Sequence, residues 1–212
     1  MDLIWTGGAV HVAGPDTAAF LAAATPGQSL VGVRFRPGAA PPLLGVPAHA
    51  MRDQRVPLEE FWPEAGELAA RIAGGGDPAS LLVDAVTRRL RDASPPDPGL
   101  RIVVARLRDD DVNVSGVAAA LGCTPRSLHR RCRDAFGYGP SVLRRIVRFR
   151  SALALAAAGT AFADTAVRTG YADQAHLARE VRALAGVPLR QLLAANGANR
   201  STELPSGSCT TA

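Results

Sequence analysis

Lysine is absent from this chain of 212 residues, and all 24 basic side chains are arginine. Alanine, glycine and proline are plentiful, the composition of a GC-rich coding sequence, so arginine abundance alone says little about function. The run Gly74-Gly75-Gly76 has no Lys-Ser/Thr behind it, which makes it a helix stop rather than a phosphate-cradling loop. Cysteine is scarce: Cys123, Cys132 and Cys209 form no CxxC and leave an odd number. That pattern supports neither a disulfide framework nor a zinc site, and it fits a reduced, cytoplasmic chain. Long hydrophobic runs are missing too. The stretches 18–24 and 152–158 are far too short to span a bilayer, and the start Met1-Asp2-Leu3-Ile4-Trp5 has no basic leader, so we read no export signal and no membrane anchor.

What is present points to a folded protein. With 47% apolar residues and 20% charged, wholesale disorder is excluded, and the length fits one or two domains. The net charge of +5 is unevenly spread. Residues 1–112 carry 11 Arg against 14 acids, whereas residues 113–200 carry 13 Arg against 4, so the first part is acidic and the second strongly basic. Such asymmetry predicts that the second part meets a polyanion, the alternative being a solvated basic surface.

The first part reads as a small α+β domain over 1–93. Two short apolar runs around Thr6-Gly7-Gly8 predict a hairpin between Leu3 and Ala13. Ser29 to Arg36 alternates Val31, Val33 and Phe35 with Gly32, Arg34 and Arg36, the period of a strand with one buried face. A helix is predicted to open at Pro57-Leu58-Glu59-Glu60, with Leu58, Phe61, Trp62, Leu68 and Ile72 on one face. A second helix has Asp77 as N-cap and Pro78 in its first turn. Pro95-Pro96-Asp97-Pro98 marks a linker over 94–99. No nucleophile, phosphate loop or metal cluster stands out here, and His11 and His49 are isolated, the usual condition of an ordinary surface or core histidine.

Over 100–195 the chain becomes a succession of helices containing a weak internal repeat offset by about 49 residues. Ala118 to Gly122, followed by Leu128, Cys132 and Gly137, is echoed by Ala166 to Gly170, followed by Leu177, Val181 and Gly186. Each unit reads as helix, glycine turn and second helix stopped by glycine, a helix-turn-helix. In the first unit Thr124 caps the second helix, Leu128, Cys132, Ala135 and Phe136 share one face, and Arg126, His129, Arg130 and Arg133 gather opposite. An apolar stripe that seats the helix and a cationic stripe that faces outward suit major-groove reading, because arginine donates bidentately to guanine and also clamps phosphates. In the second unit Asp173 is the N-cap, Leu177, Val181 and Leu184 form the apolar stripe, and Ala175, Arg179 and Arg182 lie opposite with His176 beside them. Small Ala172 and Ala175 let the backbone approach base edges. Between the units Pro140 to Ala158 reads as one long helix stopped at Gly159, decorated by Arg144, Arg145, Arg148 and Arg150; Arg144 and Arg148 are candidate phosphate contacts, the alternative being a solvated face.

Residues from about Val112 to Ala194 resemble the DNA-binding domain of AraC/XylS-type bacterial transcription regulators. The most specific piece is Asp164 to Val181, with its Gly170-Tyr171 turn, ending in Ala185-Gly186-Val187-Pro188. The resemblance implies two helix-turn-helix units joined by a long helix, with recognition helices in successive major-groove segments on one face of the duplex. It maps the first recognition helix onto Arg126, His129, Arg130 and Arg133 and the second onto Gln174, Ala175, His176 and Arg179. Two departures stand out: Cys132 replaces a bulky apolar residue, implying a less tightly packed first unit, and Ala175 replaces a commonly polar reader. The cysteines are read as small packing residues rather than a redox switch. The N-terminal region is similar to the short domain of some actinobacterial members through Asp2 to Gly8, Val12 to Thr17 and Gly32 to Ala40. It has too few strands for the β-barrel sensor usual in the family, so a reduced sensor or a start further upstream is expected.

The sequence therefore predicts a mainly α protein, an all-α double helix-turn-helix domain joined to a small N-terminal α+β domain, with a polar tail over 196–212 read as disordered. The expected function is sequence-specific binding of double-stranded DNA in transcription regulation, located with the nucleoid in the cytoplasm. RNA polymerase is a second candidate partner, no effector is assigned, and monomer and homodimer both remain open. No catalytic residue, cofactor or metal is implied. Three alternatives compete. A DNA-repair alkyltransferase carrying a similar module needs a thiol acceptor, and residues 1–112 hold no cysteine. A sequence-independent nucleoid-type protein would show a flat preference across duplexes and a steep salt slope, as would an RNA binder. Few aromatics stand on the cationic faces, which disfavours single-strand stacking.

Overall fold

The computed structural model describes residues 1–20, 30–108 and 113–200, with side chains through Ala194. Cys209, the tail from Ser201 onward, Val112 and part of the apolar run over 18–24 lie outside the described residues. The chain divides into two compact units, Met1–Arg145 and Ile146–Ala212.

In the first unit the glycine turn produces the expected hairpin. Strand β1 (Asp2–Trp5) pairs antiparallel with β2 (Val10–Ala13), Leu3 opposite Val12, and Gly7 takes the positive φ of 93° that the turn requires. The alternating segment forms β3 (Val31–Arg34) on the far side of β1, and β4 (Arg55–Pro57) pairs with β2, giving an antiparallel sheet in the order β3-β1-β2-β4. Alternation puts Leu3, Trp5, Val10 and Val12 on the buried face. That face shares one core with α1 (Ala40–Leu44), α2 (Ala65–Ala73) and α3 (Pro78–Asp92), centred on Leu43, Leu58, Trp62, Leu68 and Leu82. Each fully buried aliphatic side chain contributes about 1.5–3 kcal/mol. The indole of Trp62, 1% exposed, is satisfied by donating to the Leu43 carbonyl at 3.0 Å.

The helix expected from Pro57 is not continuous. Leu58–Glu60 is a single 3-10 turn, and α2 begins only at Ala65. Pro63 explains the break, since the residue before a proline is held out of the α region and Pro63 itself has no N–H to donate. The apolar set keeps its role across the break: Leu58, Trp62, Leu68 and Ile72 are buried in one core. Helix α3 starts as read, with the Asp77 carboxylate accepting the Ser80 N–H at 2.9 Å.

The first unit continues through α4 (Gly99–Arg106), α5 (Val114–Ala120) and α6 (Pro125–Phe136), and α7 (Pro140–Ala157) crosses the division. The second unit holds α8 (Phe162–Arg168), α9 (Gln174–Ala185) and α10 (Leu189–Arg200) around a core of Ala152, Ala156, Ala166, Tyr171, Leu177, Val181 and Leu189. The backbone of α10 runs to Arg200, into the stretch that composition assigned to the tail. The protein is mainly α, with a small α+β region before the helix-turn-helix pair.

Candidate nucleic-acid interface

Each unit of the repeat is shaped by its capping residues. In the first, Asn113 opens α5 by accepting the Gly116 N–H at 2.8 Å, Gly122 turns the chain at φ 61°, and Thr124 opens α6 by accepting the Ser127 N–H at 3.1 Å. Gly137, at φ 86°, closes α6 by donating its N–H to the Arg133 carbonyl. In the second, Gly170 turns at φ 71°, Asp173 opens α9 by accepting the His176 N–H at 2.6 Å, and Gly186 closes it at φ 73°. The leading helices α5 and α8 start 48 residues apart and the trailing helices α6 and α9 start 49 apart, so the second turn is one residue longer.

Helix α6 is divided as its periodicity requires. Leu128 and Cys132 are fully buried and Phe136 nearly so, while Arg126, His129, Arg130 and Arg133 are exposed. Among the described residues no ion pair engages Arg126, Arg130 or Arg133. Thr124, Arg126, Ser127 and Arg130 line a hollow of about 320 Å³ at the start of the helix, where the helix dipole adds to the arginine charge and favours an anion. His129 leans on Gly139, where an added Cβ would fall 2.7 Å from its Nε2. Arg131 points elsewhere: its Nε and Nη2 reach Asp97 at 3.0 and 2.5 Å, and its guanidinium holds the Asp97 carboxyl below the usual carboxylate range. Burial pushes the Cys132 thiol up to about 11, the behaviour of a packing residue rather than a redox-active one.

Helix α9 repeats the division. Leu177 and Val181 are buried and Leu184 is half-buried, while Gln174, Ala175, Arg179 and Arg182 are exposed. His176 is half-buried, its Nδ1 accepting the Ala172 N–H at 3.3 Å and its ring meeting Tyr171 edge-on at 5.2 Å. Of the two arginines proposed for phosphate on α7, Arg144 is half-buried. Arg148 donates to the Gly170 carbonyl at 2.8 Å and lies 5.0 Å from the centre of the Tyr171 ring. Helical spacing signals neither that contact nor the Arg131–Asp97 pair, because the partners lie 22 and 34 residues away.

Among the described residues, no group of three or more His, Cys, Asp and Glu side chains could hold a metal ion, and no helix is long and apolar enough to cross a membrane.

Two helix-turn-helix units, each presenting an arginine face on its trailing helix, define a DNA-binding protein of the helix-turn-helix class. Residues 117–195 match the family model described as Helix-turn-helix domain, and residues 1–57 match Domain of unknown function (DUF6597). By the first of these matches the chain carries a helix-turn-helix domain over residues 117–195. No curated protein matches it. Among solved structures it is similar to "The C-terminal domain of AraT, a response regulator from Geobacillus stearothermophilus". The two are 22% identical over 56% of this chain and 97% of that one, with a TM-score of 0.40.

Proposed function

We propose that this chain is an AraC-type transcription regulator that binds double-stranded DNA sequence-specifically, with α6 and α9 entering successive major-groove segments. One observation carries the reading: in both trailing helices exposed arginines stand opposite a buried apolar pair, Leu128 and Cys132 on α6 and Leu177 and Val181 on α9. On α6, Arg126, Arg130 and Arg133 supply bidentate donors for guanine edges or clamps for phosphates, with His129 beside them. On α9, Gln174 suits an adenine edge, Ala175 permits close approach to a thymine methyl, and Arg179 and Arg182 supply the charge, with His176 set behind them. In this reading Arg144 contacts backbone phosphate. In this reading residues 1–93 are a reduced sensor, the partner is promoter DNA, and the location is the nucleoid of the cytoplasm.

The test is selection of random duplex DNA by the full chain at near-physiological salt, repeated with Arg130→Ala and Arg179→Ala. A bipartite motif, with one element lost in each variant, supports the reading. Salt-sensitive binding without an enriched motif overturns it in favour of sequence-independent binding.

A further inference from the structure

We propose that Arg148 is a positioning residue for the second recognition helix: from α7 it fixes the turn that launches α9, and it does not contact the DNA backbone. The inference rests on the regulator reading above and departs from the phosphate contact expected of Arg148.

The contacts form a continuous line within the second unit. Nη1 of Arg148 donates to the carbonyl of Gly170, the residue at φ 71° that turns the chain between α8 and α9. The same guanidinium lies 5.0 Å from the centre of the Tyr171 ring, which is 4% exposed and seated in the core of this unit. Tyr171 meets His176 edge-on at 5.2 Å, and His176 Nδ1 takes the Ala172 N–H at 3.3 Å. The line therefore ends in the first turn of α9, the turn that carries Gln174 and Ala175 outward. Arginine suits the place because its planar fork donates along an edge while its face stacks on an aromatic ring. A lysine ammonium can donate but has no plane to stack. With Arg148 so held, its contribution to binding runs through the orientation of α9.

Positioning and phosphate contact leave different signatures. A lost phosphate contact weakens binding to every sequence and lowers the salt slope by about 1, whereas a misplaced α9 weakens only the element that α9 reads. The full chain carrying Arg148→Ala or Arg148→Lys is titrated across a salt series with the duplex that the unaltered chain selects. A second duplex has the Arg179-dependent element scrambled. The expected result for Arg148→Ala is a loss of about tenfold on the intact duplex, no loss on the scrambled one, and an unchanged salt slope. Arg148→Lys should lose nearly as much, although lysine serves well at a phosphate. If Arg148→Ala fails to fold by circular dichroism, the lysine variant alone decides. Restoration by lysine, a reduced salt slope, or equal losses on both duplexes overturns the proposal, as does unaltered binding by both variants. A starting chain that selects no motif overturns the regulator reading and this proposal with it, so the two failures are distinguishable.

Discussion

The phenol of Tyr138, two residues beyond the end of α6, donates a hydrogen bond to the backbone carbonyl of Asp16 near the start of the chain. Its neighbours reinforce the junction within the first unit. Asp134 lies 3.3 Å from His49 Nδ1, and Gly137 sits against the Pro15 ring, where an added Cβ would fall 2.4 Å from Cγ. Gly38 faces Leu100, Phe136 and Ala135 in the same way. The N-terminal region is thus built onto the C-terminal end of α6, while Arg126 stands at the opposite end of that helix and Arg130 in its middle. Burial pushes the Tyr138 phenol up to about 12, which keeps it a donor throughout the neutral range.

The exposed arginines give the most direct prediction. Arg130→Ala and Arg179→Ala should each weaken binding to the selected duplex by about 1–3 kcal/mol and relax preference at one element. Because both side chains are exposed and, among the described residues, make no ion pair, far-ultraviolet circular dichroism and the thermal midpoint should stay within about 0.5 kcal/mol of the unaltered chain. Unchanged binding would show that these faces do not read DNA.

Local signals were legible and distant ones were not. The hairpin at Gly7, the Asp77 cap and the 49-residue echo of Thr124, Leu128, Cys132 and Gly137 in Asp173, Leu177, Val181 and Gly186 all express short-range rules of turn, cap and helical period. The helix expected from Pro57 failed because one residue, Pro63, interrupted an apolar pattern that otherwise continued. Arg148 and Arg131 look alike on a helical wheel to any other arginine of their helices. What separates them is a carbonyl at Gly170 and a carboxylate at Asp97, and only the folded backbone brings those within reach. The exposed faces of α6 and α9 were readable because period alone decides which side an apolar stripe occupies.

The Asp97–Arg131 pair makes part of the stability of the first unit depend on pH. Hydrogen bonding to Arg131 lowers the folded carboxyl below its unfolded value of about 4, so its contribution is present above that value and lost as pH falls through the folded one. With the Asp97 side chain 40% exposed, screening limits the effect to about 1 kcal/mol or less. Asn at this position keeps an acceptor for the Gly99 N–H, bonded at 2.8 Å in the structure, but sets an NH2 donor where Oδ2 accepts from Arg131, so the charge and both hydrogen bonds to Arg131 are lost. Denaturant unfolding of Asp97→Asn should show a small deficit at pH 7 that closes in acid. A deficit constant with pH would mean that the loss is not ionic.

Cys132 and Cys123 should separate in thiol chemistry. Cys132 is fully buried and its thiol is pushed up to about 11, so almost none is thiolate at pH 8, while Cys123 is half-buried. Peptide mapping after brief iodoacetamide treatment of the native chain should find Cys123 modified and Cys132 intact, and both modified in denaturant. The sign for stability is the reverse of the aspartate case. A folded thiol held above its ordinary value of 9.0 favours the fold below that value, and the contribution is lost as pH rises toward 11. Equal labelling in the native state would show that the α6 seat opens readily.

Gly137 and Gly159 allow the contact between Pro15 and the end of α6 to be measured apart from backbone strain. Both follow a helix with nearly the same left-handed geometry, φ 86° and φ 89°, so an alanine at either position carries the same cost of about 1–2 kcal/mol. Around Gly159 an added Cβ meets nothing within 4 Å, whereas at Gly137 it would lie 2.4 Å and 3.0 Å from two carbons of the Pro15 ring. A proline ring cannot rotate aside, so Gly137→Ala must push the N-terminal segment away from α6 or distort the turn itself. Gly137→Ala should therefore be more destabilising than Gly159→Ala by about 1–3 kcal/mol in denaturant unfolding. Replacing Pro15 with Gly in the Gly137→Ala background should recover most of that difference, since it removes the clashing carbons and leaves the φ strain in place. Equal losses for the two alanine variants would mean that the N-terminal segment is not seated on the end of α6 in solution.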